Sequence, residues 1–455
     1  MVKPMSTILA ETILLPDGWA NDVRLTIDRG AISKVEIGVA FDSADERHAI
    51  VIPGTPNLHS HAFQRVMAGL AEMRGPGSDS FWSWRDVMYR FALSMSPEQV
   101  EAVAAQLYIE MLEAGFTRVG EFHYLHHHKD GRPYANLAEM AERIASAAQQ
   151  TGIGLTLLPV FYAHSGFGSL APNEGQRRFI NDVNRFERLV QASRGAVQTL
   201  NQAVVGVAPH SLRAATPDEL AAVISLAEGG PVHIHIAEQV KEVDDCIAWS
   251  GARPVEWLLA NATVDPSWCL IHATHMTRAE TSGVASSGAV AGLCPITEAN
   301  LGDGIFNGPE FLDGGGTFGV GSDSNVLIGV ADELRQLEYS QRLAQRARNV
   351  LVEPQRSNGR SLFDRALRGG SQALGVSGRI AVGAQADIVS LNHADAPTLA
   401  CKKDDQILDA WIFAGGTRVD CAWVAGEKLV EAGRHRSRGS IERRFRKAML
   451  ELTGA

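Results

Sequence analysis

The sequence predicts an α/β protein with a (β/α)8 TIM-like barrel and a small β-sandwich domain formed by the N- and C-terminal segments. Its 455 residues suffice for one large domain and a smaller one. Apolar runs of strand length alternate with helical stretches through the middle, whereas both ends are rich in short strands and turns. We therefore expect the sandwich to comprise 1–50 and 378–433, the barrel 51–377, and a C-terminal helical tail 434–455.

The two terminal segments share the same character. "TILAETILL" and "VRLTIDRGAISKVEI" are β-rich near the start, and "GRIAVGAQADIVSLN" and "VDCAWVAGEKLVEAG" return to strands and turns near the end. The simplest arrangement joins both ends in one sandwich beside the barrel. The basic tail "RHRSRGSIERRFRKAMLEL" predicts a solvated surface helix.

The middle of the chain contains eight β-α units. Helices separate most of the strands, among them 98–116 and the segment "TPDELAAVISLAEGG", which opens with a threonine cap and a proline. Eight such units predict a closed barrel whose active site lies at the C-terminal ends of the strands. The strand-length runs lie near residues 51, 117, 154, 203, 232, 268, 289 and 317.

Composition excludes several classes of function. A net charge of −10 argues against non-specific nucleic-acid binding, although an acidic protein can still contain a basic pocket. No apolar run approaches membrane-spanning length, and the N-terminus lacks the apolar core of a signal peptide, so we expect a cytoplasmic protein. Five cysteines without a CxxC pair make a disulfide framework or a cysteine zinc finger improbable.

Polar residues follow several predicted barrel strands. "HSH" puts two histidines at positions i and i+2, which face the same side of an extended chain. Three histidines and an aspartate suit zinc or another borderline divalent ion, and such a metal lowers the pKa of a water molecule toward neutrality. An acidic side chain nearby suits proton transfer, and a further histidine suits hydrogen bonding to the nucleophile. The candidate residues are His59, His61, His235, Glu238, His272 and Asp323.

The order of these motifs resembles the amidohydrolase superfamily over nearly the whole chain. The matching segments are "VIPGTPNLHSHAF", "HIHIAE", "LIHATH", "CPITEANLGDG" and "GVGSDSN". The resemblance implies that His59, His61, His235 and Asp323 bind the metal. Two-metal members carry a lysine at the end of strand four, but strand four here ends "GVAPHSLR". One divalent ion, with zinc favoured, is therefore expected, and the HxxE pattern on strand five is typical of single-metal deaminases.

Further polar residues suggest the class of substrate. Two arginines with a tyrosine, a histidine and an amide suit a substrate with carboxylates, because arginine binds carboxylates in a bidentate manner. A purine or pyrimidine pocket would depend more on aromatic stacking. The candidates for substrate contacts are Gln64, Arg85, Tyr124, His210 and Arg213.

"NLHSHAFQR", "FWSWRD", "EFHYLHH" and "HIHIAEQ" resemble the formimidoylglutamate deiminase family within this superfamily. That resemblance implies hydrolysis of N-formimino-L-glutamate to N-formyl-L-glutamate and ammonia in histidine degradation. It also implies a homodimer and the five substrate contacts named above. Glu238 would take a proton from water and deliver it to the leaving nitrogen, while His272 and Asp323 would orient the nucleophile.

Two alternatives remain open from the sequence. Another single-metal deaminase would act on an aminated purine, pyrimidine or triazine, and a metal-free barrel would serve as an assembly scaffold. Other histidines are expected to lie outside the metal set. His126, His127 and His128 predict a solvated loop without a ligand role, His233 lies one step deeper on its strand, and His275 falls in the next loop.

Overall fold

The computed structural model describes residues 5–74, 77, 79–392, 396–399 and 401–454. Within these residues the chain forms one barrel and one outer sheet. The strands are β1 (Ser6–Leu15), β2 (Gly18–Asp28), β3 (Ala31–Glu36), β4 (Glu46–Pro53), β5 (Thr55–Ser60), β6 (Phe116–His123), β7 (Gly154–Phe161), β8 (Val204–Val205), β9 (Ala208–Pro209), β10 (Val232–Ile236), β11 (Trp268–His272), β12 (Val290–Leu293), β13 (Thr317–Val320), β14 (Ile388–Leu391), β15 (Val419–Val424), β16 (Glu427–Glu431) and β17 (Arg434–His435).

Fourteen α-helices lie within the described residues, and short 3-10 turns add to them at 62–67, 174–176 and 397–399. The α-helices are α1 (Phe81–Ser94), α2 (Pro97–Glu113), α3 (Glu139–Thr151), α4 (Val183–Ala196), α5 (Pro217–Ser225), α6 (Val240–Ser250), α7 (Pro254–Asn261), α8 (Arg278–Ser287), α9 (Pro295–Leu301), α10 (Gly308–Asp313), α11 (Val330–Gln345), α12 (Asn358–Ala373), α13 (Asp405–Phe413) and α14 (Arg438–Thr453).

The barrel is built from two parallel sheets. One has the strand order β5-β6-β7-β8, with β9 also pairing with β7, and the other has the order β10-β11-β12-β13. Isolated parallel bridges join the two sheets at both seams. Val207 pairs with Val232 and Ser211 with His235 at one seam, and Ser60 pairs with Asp323 at the other. The eight-stranded barrel expected from the alternating pattern is thereby confirmed. Its strands are almost completely buried, as expected when helices cover a parallel sheet.

The outer sheet unites the two ends of the chain. Its strand order is β17-β16-β15-β14-β4-β1-β2-β3. The sheet curls, and a bridge between Ala31 and Gln385 brings β3 close to the segment before β14. Ile8, Val23, Ile388 and other apolar side chains fill the interior of this curl as a separate core. The two ends therefore form a β domain beside the barrel from one hydrogen-bonded sheet folded on itself. The exact division at 1–50, 51–377 and 378–433 stays a prediction.

Some elements differ from those expected. The run near residue 51 is two strands, because β4 pairs with β1 and β14 in the outer sheet and only β5 enters the barrel. A helix, α13, also interrupts the C-terminal strands and turns. It forms because buried Ile407, Leu408, Trp411 and Ile412 recur at helical spacing and pack against the barrel helices.

The C-terminal tail forms the expected surface helix. α14 packs along α2, with Ile441 and Ala448 buried and most of its basic residues outside. No helix in the described part of the chain is long and apolar enough to cross a membrane. All five cysteines are free, and four of them are buried.

Candidate active site

Four predicted metal ligands converge at the C-terminal mouth of the barrel. His59 Nε2 lies 3.2 Å from His61 Nε2 and 3.1 Å from His235 Nε2. Asp323 Oδ1 lies 3.3 Å from His59 Nε2 and 3.2 Å from His61 Nε2. All four side chains are buried. The ends of β5 and β10 and the segment after β13 thus point four ligand atoms at one small volume.

Hydrogen bonds away from this volume set the state of two rings. His61 Nδ1 lies 3.0 Å from the Phe122 carbonyl, and His235 Nδ1 lies 3.1 Å from the His210 carbonyl. A carbonyl can only accept, so each Nδ1 carries the proton and each Nε2 presents a lone pair toward the centre. Burial lowers the pKa of His59 to about 3 and holds that of His235 well below its ordinary value. These rings are therefore neutral, as metal ligands must be.

The converging atoms fit a divalent cation. Burial opposes ionisation of Asp323, but the neighbouring His59 and His61 rings hold its pKa well below the ordinary value. A neutral His59 ring carries one proton and cannot satisfy three facing acceptors at once. Three imidazoles and one carboxylate are a ligand set suited to zinc and similar ions. A single cation would satisfy all of the facing lone pairs.

The seam between β5 and β13 places Asp323. Gly321 allows the close approach, because a Cβ at this position would lie 2.7 Å from the backbone nitrogen of His59. The backbone N–H of Asp323 then donates to the His59 carbonyl, and that of His61 donates to the Asp323 carbonyl. The Asn325 amide donates to the backbone carbonyls of both His61 and Asp323. These bonds hold strand one and the loop after strand eight together at the ligands.

Glu238 and His272 lie beside the four ligands. His272 Nε2 is 3.8 Å from Glu238 Oε1 and 3.9 Å from Asp323 Oδ2, while its Nδ1 is 3.3 Å from Glu298 Oε1. Burial opposes the charged form of His272, but these carboxylates raise its pKa above the ordinary value. Burial also raises the pKa of Glu238. The pair combines a ring that favours protonation with a carboxyl group able to exchange a proton.

Sequence reasoning missed two acidic residues of this region. Glu298 lies in α9 and contacts His272, and it also accepts the backbone N–H of Cys294. Asp303 lies in the following loop, where the Gln239 amide donates to its Oδ1 while its Oδ2 has no hydrogen-bond partner. Both residues lie within "CPITEANLGDG", the quoted segment between the seventh and eighth strands. The sequence pattern located that segment but not these contacts.

Three of the predicted substrate contacts line the cavity wall next to the ligand cluster. Gln64 Nε2 donates to Tyr124 Oη at 2.9 Å, and Gln64 Oε1 is buried without a partner. The His210 ring lies 4.9 Å from the His235 ring and 5.9 Å from the Tyr124 ring, measured between centroids. Gln64, Tyr124 and His210 therefore line the wall that continues from the ligand cluster.

Arg85 and Arg213 face the same cavity. The Arg85 guanidinium lies over the Trp82 ring at 4.5 Å and the Tyr89 ring at 5.5 Å. Neither arginine forms an ion pair or a hydrogen bond within the described residues, and the Nε atom of each is buried without a partner. Two cations without a direct ion-pair partner in one cavity attract an anionic ligand.

The structure corrects the prediction for the histidine run. His126 and His127 are buried. His126 Nε2 lies 2.8 Å from the Val160 carbonyl, and His127 Nε2 lies 2.8 Å from the Ile180 carbonyl. Only His128 has a largely exposed side chain. The segment around Arg178 covers the first two, a contact between distant parts of the chain that the local polarity did not reveal. His233 is core, bonded to the Ala373 carbonyl.

These groups line one cavity. At one end lie four ligand atoms with a proton-exchanging pair, and at the other lie two unpaired guanidinium groups with amide and hydroxyl groups. Such an arrangement can bind an anionic molecule and activate water beside it. Its lining comprises His61, Gln64, Phe81, Trp84, Arg85, Met88, Tyr89, Tyr124, Tyr162, Phe179, His210, Arg213, His235, Glu238, His272, Leu301 and Asp323.

Comparison with known proteins gives consistent similarities. Residues 50–429 match the amidohydrolase family, and 5–49 match the N-terminal domain of formimidoylglutamate deiminase HutF. A formimidoylglutamate deiminase from Pseudomonas aeruginosa is 52% identical over 98% of this chain and 100% of its own length.

Solved structures agree with these matches. An amidohydrolase from Brucella melitensis has a TM-score of 0.95 and 62% identity, covering 98% of this chain and 100% of that one. A zinc-bound adenosine deaminase from Xanthomonas campestris shares the fold, with a TM-score of 0.81 and 20% identity over 99% of this chain and 98% of that one. The family match over most of the chain and the 52% identity to a curated relative show that the chain belongs to the amidohydrolase family.

Proposed function

We propose that this chain hydrolyses N-formimino-L-glutamate to N-formyl-L-glutamate and ammonia, a step of histidine degradation. The observation that carries the proposal is the cavity itself, which joins a hydrolytic metal-ligand cluster to two arginines without counterions. The 52% identity to a formimidoylglutamate deiminase, over nearly both whole chains, supports this substrate. A small dicarboxylate is therefore the partner of the site.

Zinc is the proposed metal, held by His59, His61, His235 and Asp323. The three imidazoles and one carboxylate suit it, and the zinc-bound deaminase from Xanthomonas campestris has the same fold. When bound, the ion supplies Lewis acidity that makes a water molecule a competent nucleophile near neutral pH. A single ion is proposed, since the end of strand four, "GVAPHSLR", carries no lysine that could hold a second ion.

Glu238 and His272 divide the proton transfers. The Glu238 carboxylate accepts a proton from the attacking water and donates it to the imino nitrogen. The hydroxyl of the resulting tetrahedral adduct gives up the second proton, so that the nitrogen leaves as ammonia while the C=O bond forms. His272 keeps its proton because of the carboxylates around it, and donates a hydrogen bond to the developing negative charge. Asp323, held by Asn325, helps to orient the nucleophile.

The far end of the cavity holds the two carboxylates. Arg85 and Arg213 supply charge-assisted hydrogen bonds, which are stronger than neutral ones. Gln64, Tyr124 and His210 line the wall between these arginines and the ligand cluster, where they set the position of the substrate. An acyclic substrate anchored at this end places its formimino carbon near Glu238.

The proposal extends to location and assembly. The chain is then a cytoplasmic homodimer without a membrane partner, and the net charge of −10 argues against a nucleic-acid partner. Light scattering coupled to gel filtration measures the assembly, and a monomer at micromolar concentration would contradict the dimer.

One experiment tests the function. Ammonia release from N-formimino-L-glutamate is measured on a sample whose metal content is determined at the same time, with guanine and cytosine as comparison substrates. We expect turnover of the formimino compound alone and about one zinc per chain. Faster turnover of either base would favour the alternative deaminase, and a metal-free, inactive sample would favour the scaffold.

A further inference from the structure

Two tyrosine hydroxyl groups lie in the cavity beyond the residues that the sequence analysis selected. Tyr89 comes from α1 and Tyr162 from the segment after β7, and both line the cavity beside the two arginines. The side chain of Gln176 lies behind them. Its Nε2 donates to Tyr162 Oη at 2.8 Å and to Tyr89 Oη at 3.4 Å.

The orientation of the Gln176 amide is determined by its other end. Oε1 accepts the backbone N–H of Asn173 at 2.9 Å, as part of a reciprocal cap at the start of the 3-10 turn 174–176. Since a backbone N–H can only donate, the oxygen must face Asn173 and the NH2 group must face the tyrosines. Gln176 is buried, so no alternative partner in solvent competes.

This orientation leaves both hydroxyl protons available. Each tyrosine oxygen accepts from Gln176, and within the residues described neither O–H has an acceptor of its own. Burial raises the pKa of Tyr162, so its hydroxyl keeps the proton. Two O–H donors without protein acceptors, in a largely buried cavity, can therefore donate to a ligand bound there.

The surroundings of the tyrosines identify the ligand chemistry. The charges of Arg213 and Arg85 both act on the Tyr162 hydroxyl. Tyr89 contacts the Arg85 guanidinium and packs closely on Gly175, where an added Cβ would lie 2.5 Å from the ring. A carboxylate at the arginines would therefore meet O–H donors from the same side.

We propose that Tyr89 and Tyr162 bind a carboxylate of the substrate together with the arginines, and that Gln176 is the positioning residue that directs their hydroxyl protons into the cavity. This inference rests on the proposed function, because it assumes the dicarboxylate substrate. It assigns specificity for the carboxylate to Tyr89, Tyr162 and Gln176, here called the tyrosine relay, with the Gln176 amide oriented by the backbone N–H of Asn173.

The first test removes single hydroxyls and varies the carboxylates of the substrate. Tyr162→Phe and Tyr89→Phe are assayed with N-formimino-L-glutamate, with N-formimino-L-norvaline, which lacks the side-chain carboxylate, and with N-formimino-4-aminobutyrate, which lacks the α-carboxylate. Analogues that turn over too slowly are measured as competitive inhibitors. We expect KM for the dicarboxylate to rise about tenfold in Tyr162→Phe, with kcat changed less than KM, as for one lost bond to a charged group.

The pattern across substrates separates binding from packing. If the hydroxyl binds one carboxylate, the Tyr→Phe substitution weakens the affinity for the analogue that lacks that carboxylate at least about fivefold less than it weakens the affinity for the dicarboxylate. The reason is that the analogue cannot form that bond even in the wild-type protein. Equal losses with all three substrates, or no loss with N-formimino-L-glutamate, would overturn the inference. Tyr339→Phe, at a tyrosine on α11 that stacks on Phe413 away from the cavity, is the matched control and should change nothing.

The second test reverses the donor direction. Gln176→Glu keeps the size of the side chain and the bond from Asn173, but its second oxygen accepts from the tyrosines instead of donating to them. We expect an increase in KM for the dicarboxylate at least as large as that of Tyr162→Phe, with an unchanged melting temperature. A variant with normal KM and kcat would remove Gln176 from this role.

The wild-type measurement distinguishes a failure of the proposed function from a failure of the role proposed for the tyrosines and Gln176. If the wild-type protein with bound metal releases no ammonia from N-formimino-L-glutamate, the proposed function is wrong. If it is active and the three variants behave as wild type does, the function stands and the tyrosine relay is wrong.

Discussion

The two ends of the cavity are built from different kinds of structure. At the chemical end, His59, His61 and His235 extend from barrel strands, and most of their polar atoms bond to one another or to backbone carbonyls. At the recognition end, Arg85 comes from α1 and Arg213 from a loop, and neither is paired within the described residues. Strand ends thus supply the histidines of the chemical end, whereas a helix and a loop outside the strands supply the unpaired arginines of the recognition end.

Removing a ligand should break the chemical end most severely. His235→Ala leaves three ligands, and we expect metal loss with a decrease in kcat of about 10³-fold or more, because a metal contributes several kcal/mol to the transition state. Metal analysis and the ammonia assay measure both effects. His128→Ala changes a histidine with a largely exposed side chain and should behave as wild type. Retained metal in His235→Ala would remove that residue from the ligand set.

Glu238→Gln should separate metal binding from turnover. The amide retains the shape of the side chain but cannot accept and return a proton, so kcat should fall about 10²- to 10⁴-fold. Metal content should stay at the wild-type level, since Glu238 is outside the four-ligand cluster. Full activity would contradict the proton-transfer role, and loss of metal would place Glu238 among the ligands.

Arg213→Ala should affect the recognition end alone. Loss of a charge-assisted bond to a carboxylate should lower kcat/KM about 10²-fold, while metal content stays the same. Arg213→Lys should recover only part of the activity, because lysine lacks the planar pair of donors. As a control, Arg194→Ala removes an arginine that bonds to Glu228 on the surface. An unchanged kcat/KM in Arg213→Ala would exclude this residue from substrate binding.

Asn325→Ala should have the smallest of these effects. Its amide supports Asp323 and His61 only through their backbone carbonyls. Loss of such support outside the ligand set should weaken metal affinity about tenfold, as for other residues that orient metal ligands. Titration with a competing chelator measures the change, and Asn261→Ala on exposed α7 is the control. If affinity is unchanged, the remaining seam bonds are sufficient to hold Asp323.

The same contrast explains what the sequence could predict. Residues of the chemical end follow strands whose apolar runs are readable, so His59, His235 and Asp323 could be placed near each other from barrel geometry alone. The eightfold alternation also predicted the barrel itself. The roles of these residues remain predictions, whereas their convergence is a property of the structure.

The residues missed depend on contacts between segments distant in the chain. Tyr162 and Gln176 meet because the turn 174–176 folds back onto the cavity, and no periodicity encodes that approach. Burial of His126 has the same cause, since the segment around Arg178 covers it. Asp303 lies within a recognisable segment, but its contact with Gln239 depends on the path of a loop.

The bridge between Ser60 and Asp323 also concerns how the barrel closes. It joins the first and last barrel strands, and the residues that we propose as metal ligands lie on both of its sides. Bringing these strands together closes the longest loop of the barrel, which is entropically unfavourable. An ion bound by residues on both sides of this seam would link the first and last strands of the closed barrel. Its binding free energy would therefore add to the stability of the folded state. The melting temperature should therefore rise with free zinc concentration, and this rise should vanish in His235→Ala.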